Sequence, residues 1–119
     1  MVVMKKLKIY ISGPITGLPY DEVERHFERA KRDLAKADFE PVSPLENGLP
    51  PEASWEAHMQ RDLEILSACD GIYLLRGWEK SKGAQIEVNF ALSHPKIKYF
   101  IKEDMNTAKN VEKCTQKVT

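Results

Sequence analysis

No stretch of this sequence stays apolar over the roughly 20 residues that a membrane-spanning helix needs. The N-terminal Met1-Val2-Val3-Met4-Lys5-Lys6 is not followed by the long apolar core of a secretory leader, so the expected location is cytoplasmic, with no membrane partner. An excess of one charge is missing as well. The 18 basic residues balance 18 acidic ones, so bulk electrostatics give a polyanion no hold and nucleic acid is not an expected partner. Cysteine is scarce: Cys69 and Cys114 lie far apart, with no Cys-x-x-Cys or Cys/His spacing, which argues against both a zinc site and a disulfide framework. Cys69, between Ala68 and Asp70, reads as a small buried residue.

Glycine-rich nucleotide motifs are also lacking. Gly13-Pro14-Ile15-Thr16-Gly17 has no third glycine at the dinucleotide spacing, and its proline removes a backbone donor that a pyrophosphate would need. Gly77-Trp78-Glu79-Lys80-Ser81-Lys82-Gly83 contains Lys-Ser without the spacing of a phosphate loop. No cofactor and no metal are therefore expected.

What is present suits one α/β domain, since 119 residues can bury a single core but not two. Leu7 to Ser12 alternates and stops at Gly13-Pro14, which predicts a strand running into a loop. Asp21 is a candidate cap for a helix whose apolar residues Val23, Phe27, Ala30, Leu34 and Ala37 recur at spacings of four and three. Phe39 to Val42 reads as a short strand, and Ser43 to Pro51 as an ordered loop rich in Pro, Gly and Asn. Ser54 can cap a second helix reaching about Ala68, with Trp55, Met59, Leu63 and Leu66 on its apolar face. Gly71 to Leu75 has the continuous apolar character of a buried parallel strand. A loop from Arg76 to Gly83, a third helix over about Ala84 to Ser93 and a fourth strand over Ile97 to Ile101 complete the pattern. This alternation predicts a small doubly wound parallel sheet with flanking helices, flavodoxin-like or Rossmann-like, whose ligand crevice lies at the carboxyl ends of the strands. The domain is expected over 1–103 and a polar tail, as a short helix or loosely held segment, over 104–119.

Glu87 is placed one turn into the third helix, behind a small-residue loop at the end of a strand. There it can serve as a nucleophile, or simply complement the helix dipole. Asp62 falls at the edge of the second helix's apolar face, where it either reaches solvent beside Arg61 or stands half-buried at a cleft with its pKa raised, as suits a general acid. Tyr10, in the first strand, can hydrogen-bond Glu87 or pack as a half-buried aromatic. Ser81 and the Gly83 amide near a helix start can hold a sugar hydroxyl or an anion. Trp78, in the loop, is the candidate for stacking on a flat base, with Trp55 read as core. His58, one turn before Asp62, is a candidate contact to a polar substrate edge or a solvated helix residue. Asp70, ahead of a buried strand and followed by Gly71, reads as a structural turn residue.

Together these motifs resemble the nucleoside 2-deoxyribosyltransferase-like superfamily, including its deoxynucleoside 5'-monophosphate N-glycosidases. The likeness runs from about Lys8 to Ile101. It is carried by Tyr10-Ile11-Ser12-Gly13-Pro14, by Asp62 eight residues before Asp70, and by Ser81 and Gly83 six and four residues before Glu87. The resemblance implies a small nucleoside or nucleotide as substrate, Glu87 as nucleophile on the sugar's anomeric carbon and Asp62 as the acid that assists departure of the base. Tyr10 would position the nucleophile, and Gly13, Ser81, Gly83, Trp78 and His58 would contact substrate. Hydrolysis and transfer of the sugar share such a site. Pro14 and Thr16 stand where monophosphate-specific relatives carry serine and arginine, removing a bidentate phosphate contact. The family also lends residues between subunits, which implies a homodimer or larger homo-oligomer, with Trp78 and the Leu45 to Pro51 loop near the border and Asn106 as the lent residue. On this reading the Glu87 and Asp62 carboxyl groups face one cleft at roughly the 5 to 5.5 Å of a retaining pair. The alternative is a non-catalytic receptor for a nucleotide or its derivative on the same fold, which needs neither carboxylate.

Overall fold

The computed structural model describes residues 6–103 and the backbone of residues 114–116. Four parallel strands, β1 (Lys8–Ser12), β2 (Glu40–Val42), β3 (Gly71–Leu74) and β4 (Tyr99–Lys102), alternate with the helices α1 (Tyr20–Lys36), α2 (Trp55–Ser67) and α3 (Lys82–Ser93). A fifth strand, β5 (Cys114–Gln116), runs antiparallel to β4, so that part of the segment expected as a tail forms a sheet edge. Asn106 lies outside the described residues.

The spatial order β2-β1-β3-β4-β5 is the flavodoxin-like order, in which the chain reverses direction across the sheet between β1 and β3. That reversal sends helices to both faces. Odd positions of β1, Ile9 and Ile11, pack with Val23, Phe27, Ala30 and Leu34 of α1. The even position Tyr10 packs on the other face with Leu66 of α2 and Val88 and Ala91 of α3. The period of two along one strand thus divides the core into two layers.

Local signals explain most boundaries. Ser54 Oγ accepts from the Ala57 amide and caps α2, as its sequence implies. α1 begins one residue before the expected cap: Pro19 is its N-cap, and Asp21 lies in the first turn, where its charge complements the dipole. α3 begins at Lys82, two residues early, because Ser81 Oγ accepts from the Ala84 amide. Asp70 acts structurally, its carboxylate accepting from the Lys8 amide at 2.8 Å and fixing β1 beside β3. Cys69 is buried, as its neighbours suggest. No helix among the described residues is long and apolar enough to cross a membrane.

Candidate active site

β3 leaves the sheet through Leu75, turns at Gly77 in the left-handed region (φ 91°), passes a single 3-10 turn at Trp78–Lys80 and enters α3. α3 then packs over the end of β1. Glu87, only 5% exposed, meets two hydroxyls there: Tyr10 donates to Oε2 at 2.7 Å and Ser12 donates to Oε1 at 2.6 Å. Tyr10 and Ser12 are two residues apart on one strand and so share a face. Burial pushes the Glu87 carboxyl up to about 7; the two donated hydrogen bonds pull it down, and the nearby Asp62 charge pushes it up. The Tyr10 phenol is raised well above its usual value by burial and then by Glu87, so it remains a donor at every physiological pH.

Asp62 comes from α2 and is 6% exposed. Its Oδ1 accepts from Asn47 Nδ2 at 2.9 Å. Burial raises its carboxyl above the usual range, against the opposing effect of the Asn47 hydrogen bond. Asp62 and Glu87 line the same cavity, of about 300 Å³, at the carboxyl ends of β1 and β3. This is the crevice that the reversal of strand order creates.

Gly13, Ser81, Gly83 and His58 also line this cavity. Gly13 permits the exits of β1 and β3 to approach, because a Cβ there would stand 2.6 Å from the Leu75 Cβ. At Gly83 a Cβ would come within 3.2 Å of Met59 Sδ, so the missing side chain lets α3 close on α2. Ser81 Oγ is engaged as the α3 cap. Trp78 does not face the cavity; it packs on the layer that contains Leu74 and Val88. Trp55, read from the sequence as core, instead takes the place expected of Trp78. The residue is 38% exposed and lines the cavity, and Lys82 Nζ stands 5.3 Å from its ring centroid. An adjoining cavity of about 590 Å³ shares Thr16, Trp55, Ser81 and Gly83 and adds Lys80 and Lys82, cations suited to a polar or anionic substituent. Among the described residues no cluster of three or more His, Cys, Asp or Glu is placed to hold a metal ion.

Sequence reasoning missed Ser12 and Asn47. Ser12 was within reach of a period-two argument, since it shares a strand face with Tyr10. Asn47 carried no such signal, since a loop has no periodicity to say which way a side chain faces.

A family model described as a domain of unknown function (DUF4406) matches residues 7–99. Among solved structures, the 2-desoxiribosyltransferase from Leishmania mexicana is similar with a TM-score of 0.61 and 22% identity, over 82% of this chain and 65% of that one. This chain therefore spans just under two thirds of that protein's length. A 2-deoxyribosyltransferase from Bacillus psychrosaccharolyticus gives a TM-score of 0.59 and 21% identity, over 87% of this chain and 90% of that one. No curated protein matches the sequence significantly. Likeness at these identities establishes the fold, which is nucleoside 2-deoxyribosyltransferase-like.

Proposed function

This chain belongs to the DUF4406 family, and from its fold and site we propose that it cleaves the N-glycosidic bond of a small nucleoside or nucleotide with Glu87 as nucleophile. The observation that carries the reading is a buried carboxylate held by two hydroxyls in the same cavity as a second buried carboxyl group. The 2-deoxyribosyltransferases of like fold add support by what they act on.

In the first step a Glu87 oxygen attacks the anomeric carbon and the bond to the base nitrogen breaks. The bonding pair leaves with the base, which takes a proton from Asp62, and the sugar becomes an ester of Glu87. Water, or a second base, then attacks the same carbon while Asp62 takes up the proton and Glu87 is released. The first acceptor gives hydrolysis, the second gives transfer. Tyr10 and Ser12 hold the attacking carboxylate in one orientation before substrate arrives, so less reorganisation is needed during attack. Trp55, on the wall of both cavities, offers a face for the base, and Lys80 and Lys82 line the adjoining cavity.

Activity requires one proton on the pair, carried by Asp62 in the reacting arrangement although burial favours it on Glu87 at rest. The rate should therefore follow a bell in pH whose descending limb lies near the Glu87 value of about 7, where the last proton leaves. A pH series of initial rates checks this. Tyr10→Phe should fold normally but turn over roughly 10- to 100-fold more slowly, the loss of one hydrogen bond to a charged group. Its descending limb should move to higher pH, because the phenol holds the Glu87 proton affinity down.

We also propose that the protein works as a homodimer. Leu18 and Tyr20, 41% and 62% exposed, border the two cavities beside Trp55, an apolar rim that a second copy would cover. Light scattering should give twice the chain mass at working concentration. A fully active monomer would refute it. The catalytic reading is tested by incubating the protein with nucleosides and their monophosphates, with and without a free base, and following base release or exchange by chromatography. Tight binding of a nucleotide with no product would favour the receptor alternative.

A further inference from the structure

We infer that Asn47 is a positioning residue whose single amide both orients Asp62 and holds His58 as its neutral Nε2–H tautomer, so that neither Asn47 nor His58 reads the substrate. The catalytic part of this inference rests on the reading of Asp62 as the acid; the geometry does not.

Asn47 is 4% exposed and every polar atom of its side chain is engaged. Its Oδ1 accepts from the Leu49 amide at 3.0 Å, and because a backbone N–H can only donate, the orientation of the side-chain amide is fixed. Nδ2 then donates to Asp62 Oδ1 at 2.9 Å and stands 3.0 Å from His58 Nδ1. That imidazole nitrogen faces a donor and must accept. His58 Nε2 faces the Pro50 carbonyl at 3.2 Å, an acceptor, and must carry the proton. Both ring nitrogens are thus used within the protein, although the ring lines the cavity. This corrects the expectation that His58 contacts substrate through a polar edge. Arg61 Nε, donating to the Asn47 carbonyl at 3.1 Å, ties the loop to α2 from the other side. Asp62 is left with Oδ2 as the oxygen that no described residue engages, and hence the one available to a leaving base.

The groups that bear on Asp62 are His58 on its own helix, Asn47 from the loop, Glu87 from α3 and Tyr10 from β1. Of these, Asn47 alone among the described residues donates a hydrogen bond to Asp62, and its donation stabilises the ionised form. Asn47→Asp keeps the shape and the acceptor for Leu49. It replaces the donor by a carboxylate that faces His58 with an acceptor and Asp62 with like charge.

The experiment is nuclear magnetic resonance on the whole chain, with nitrogen shifts for His58 and carboxyl-carbon titration for Asp62, beside the pH series of rates. The wild type should show His58 neutral with its proton on Nε2. In Asn47→Asp, His58 Nδ1 faces an acceptor and should gain a proton, and the Asp62 titration should rise by about one unit or more, as expected for a like charge in place of a lost donor. The rate bell should move upward in pH with it. A wild-type His58 protonated on Nδ1, or an Asp62 titration unmoved in the variant, overturns the inference. Should the variant lose its fold, the wild-type tautomer alone decides. A wild type that turns over no substrate would sink the catalytic reading and leave these resonance results to judge Asn47.

Discussion

Glu87→Gln should abolish base release, by roughly 10⁴-fold or more, while making the protein more resistant to unfolding above neutral pH. The first effect follows from chemistry, because an amide cannot form the sugar ester. The second follows from burial. The native carboxyl titrates at about 7 against 4.5 for the ordinary group, so between those values the native state holds a proton that the unfolded chain has released. Stability then falls as pH rises from about 4.5 to about 7, by about 3 kcal/mol in all, and stays reduced above 7. Glutamine carries no such cost and can still pair with both hydroxyls, one as donor and one as acceptor. Urea unfolding at pH 5 and pH 8 should show the variant gaining most at the higher pH. An equal effect at both values would mean that Glu87 is not held in the buried environment seen here.

Asp62→Asn should lower turnover by roughly 10²- to 10⁴-fold, the usual contribution of a placed general acid. Its effect on the pH profile is more specific than its magnitude. With no proton to lose, the descending limb should vanish, leaving a single rise as Glu87 ionises. That rise should fall below 7, because the Asp62 charge is one of the influences that hold the Glu87 value up. Initial rates across pH 4 to 9 would show it. A bell that persists in Asp62→Asn would move the acid to another residue.

The parts of this site that could be read from the sequence are those governed by a period. The strand that ends at Gly13-Pro14 placed Tyr10 near the crevice, and the small-residue loop before α3 placed Glu87 one turn inside a helix facing it; the two meet at 2.7 Å. The two tryptophans reversed roles because amphipathic spacing says only that Trp55 faces inward along α2. It does not say that the crevice cuts into that face near the helix start, where Trp55 and His58 stand on its wall. Trp78 sits in a short 3-10 turn that folds back on α3, and so packs where a loose loop would have exposed it. Asn47 reaches Asp62 across 15 residues from a loop closed by its own turn. Nothing periodic encodes such a contact. The antiparallel β5 was missed for a similar reason: three residues are too few to display an alternation.

The most direct test of the account is mass spectrometry on protein quenched with acid during turnover of a deoxynucleoside, followed by digestion. The account predicts the added mass of one deoxyribosyl group on the peptide that carries Glu87, absent from Glu87→Gln. Sugar found on a different residue, or base released by Glu87→Gln at the wild-type rate, would contradict it.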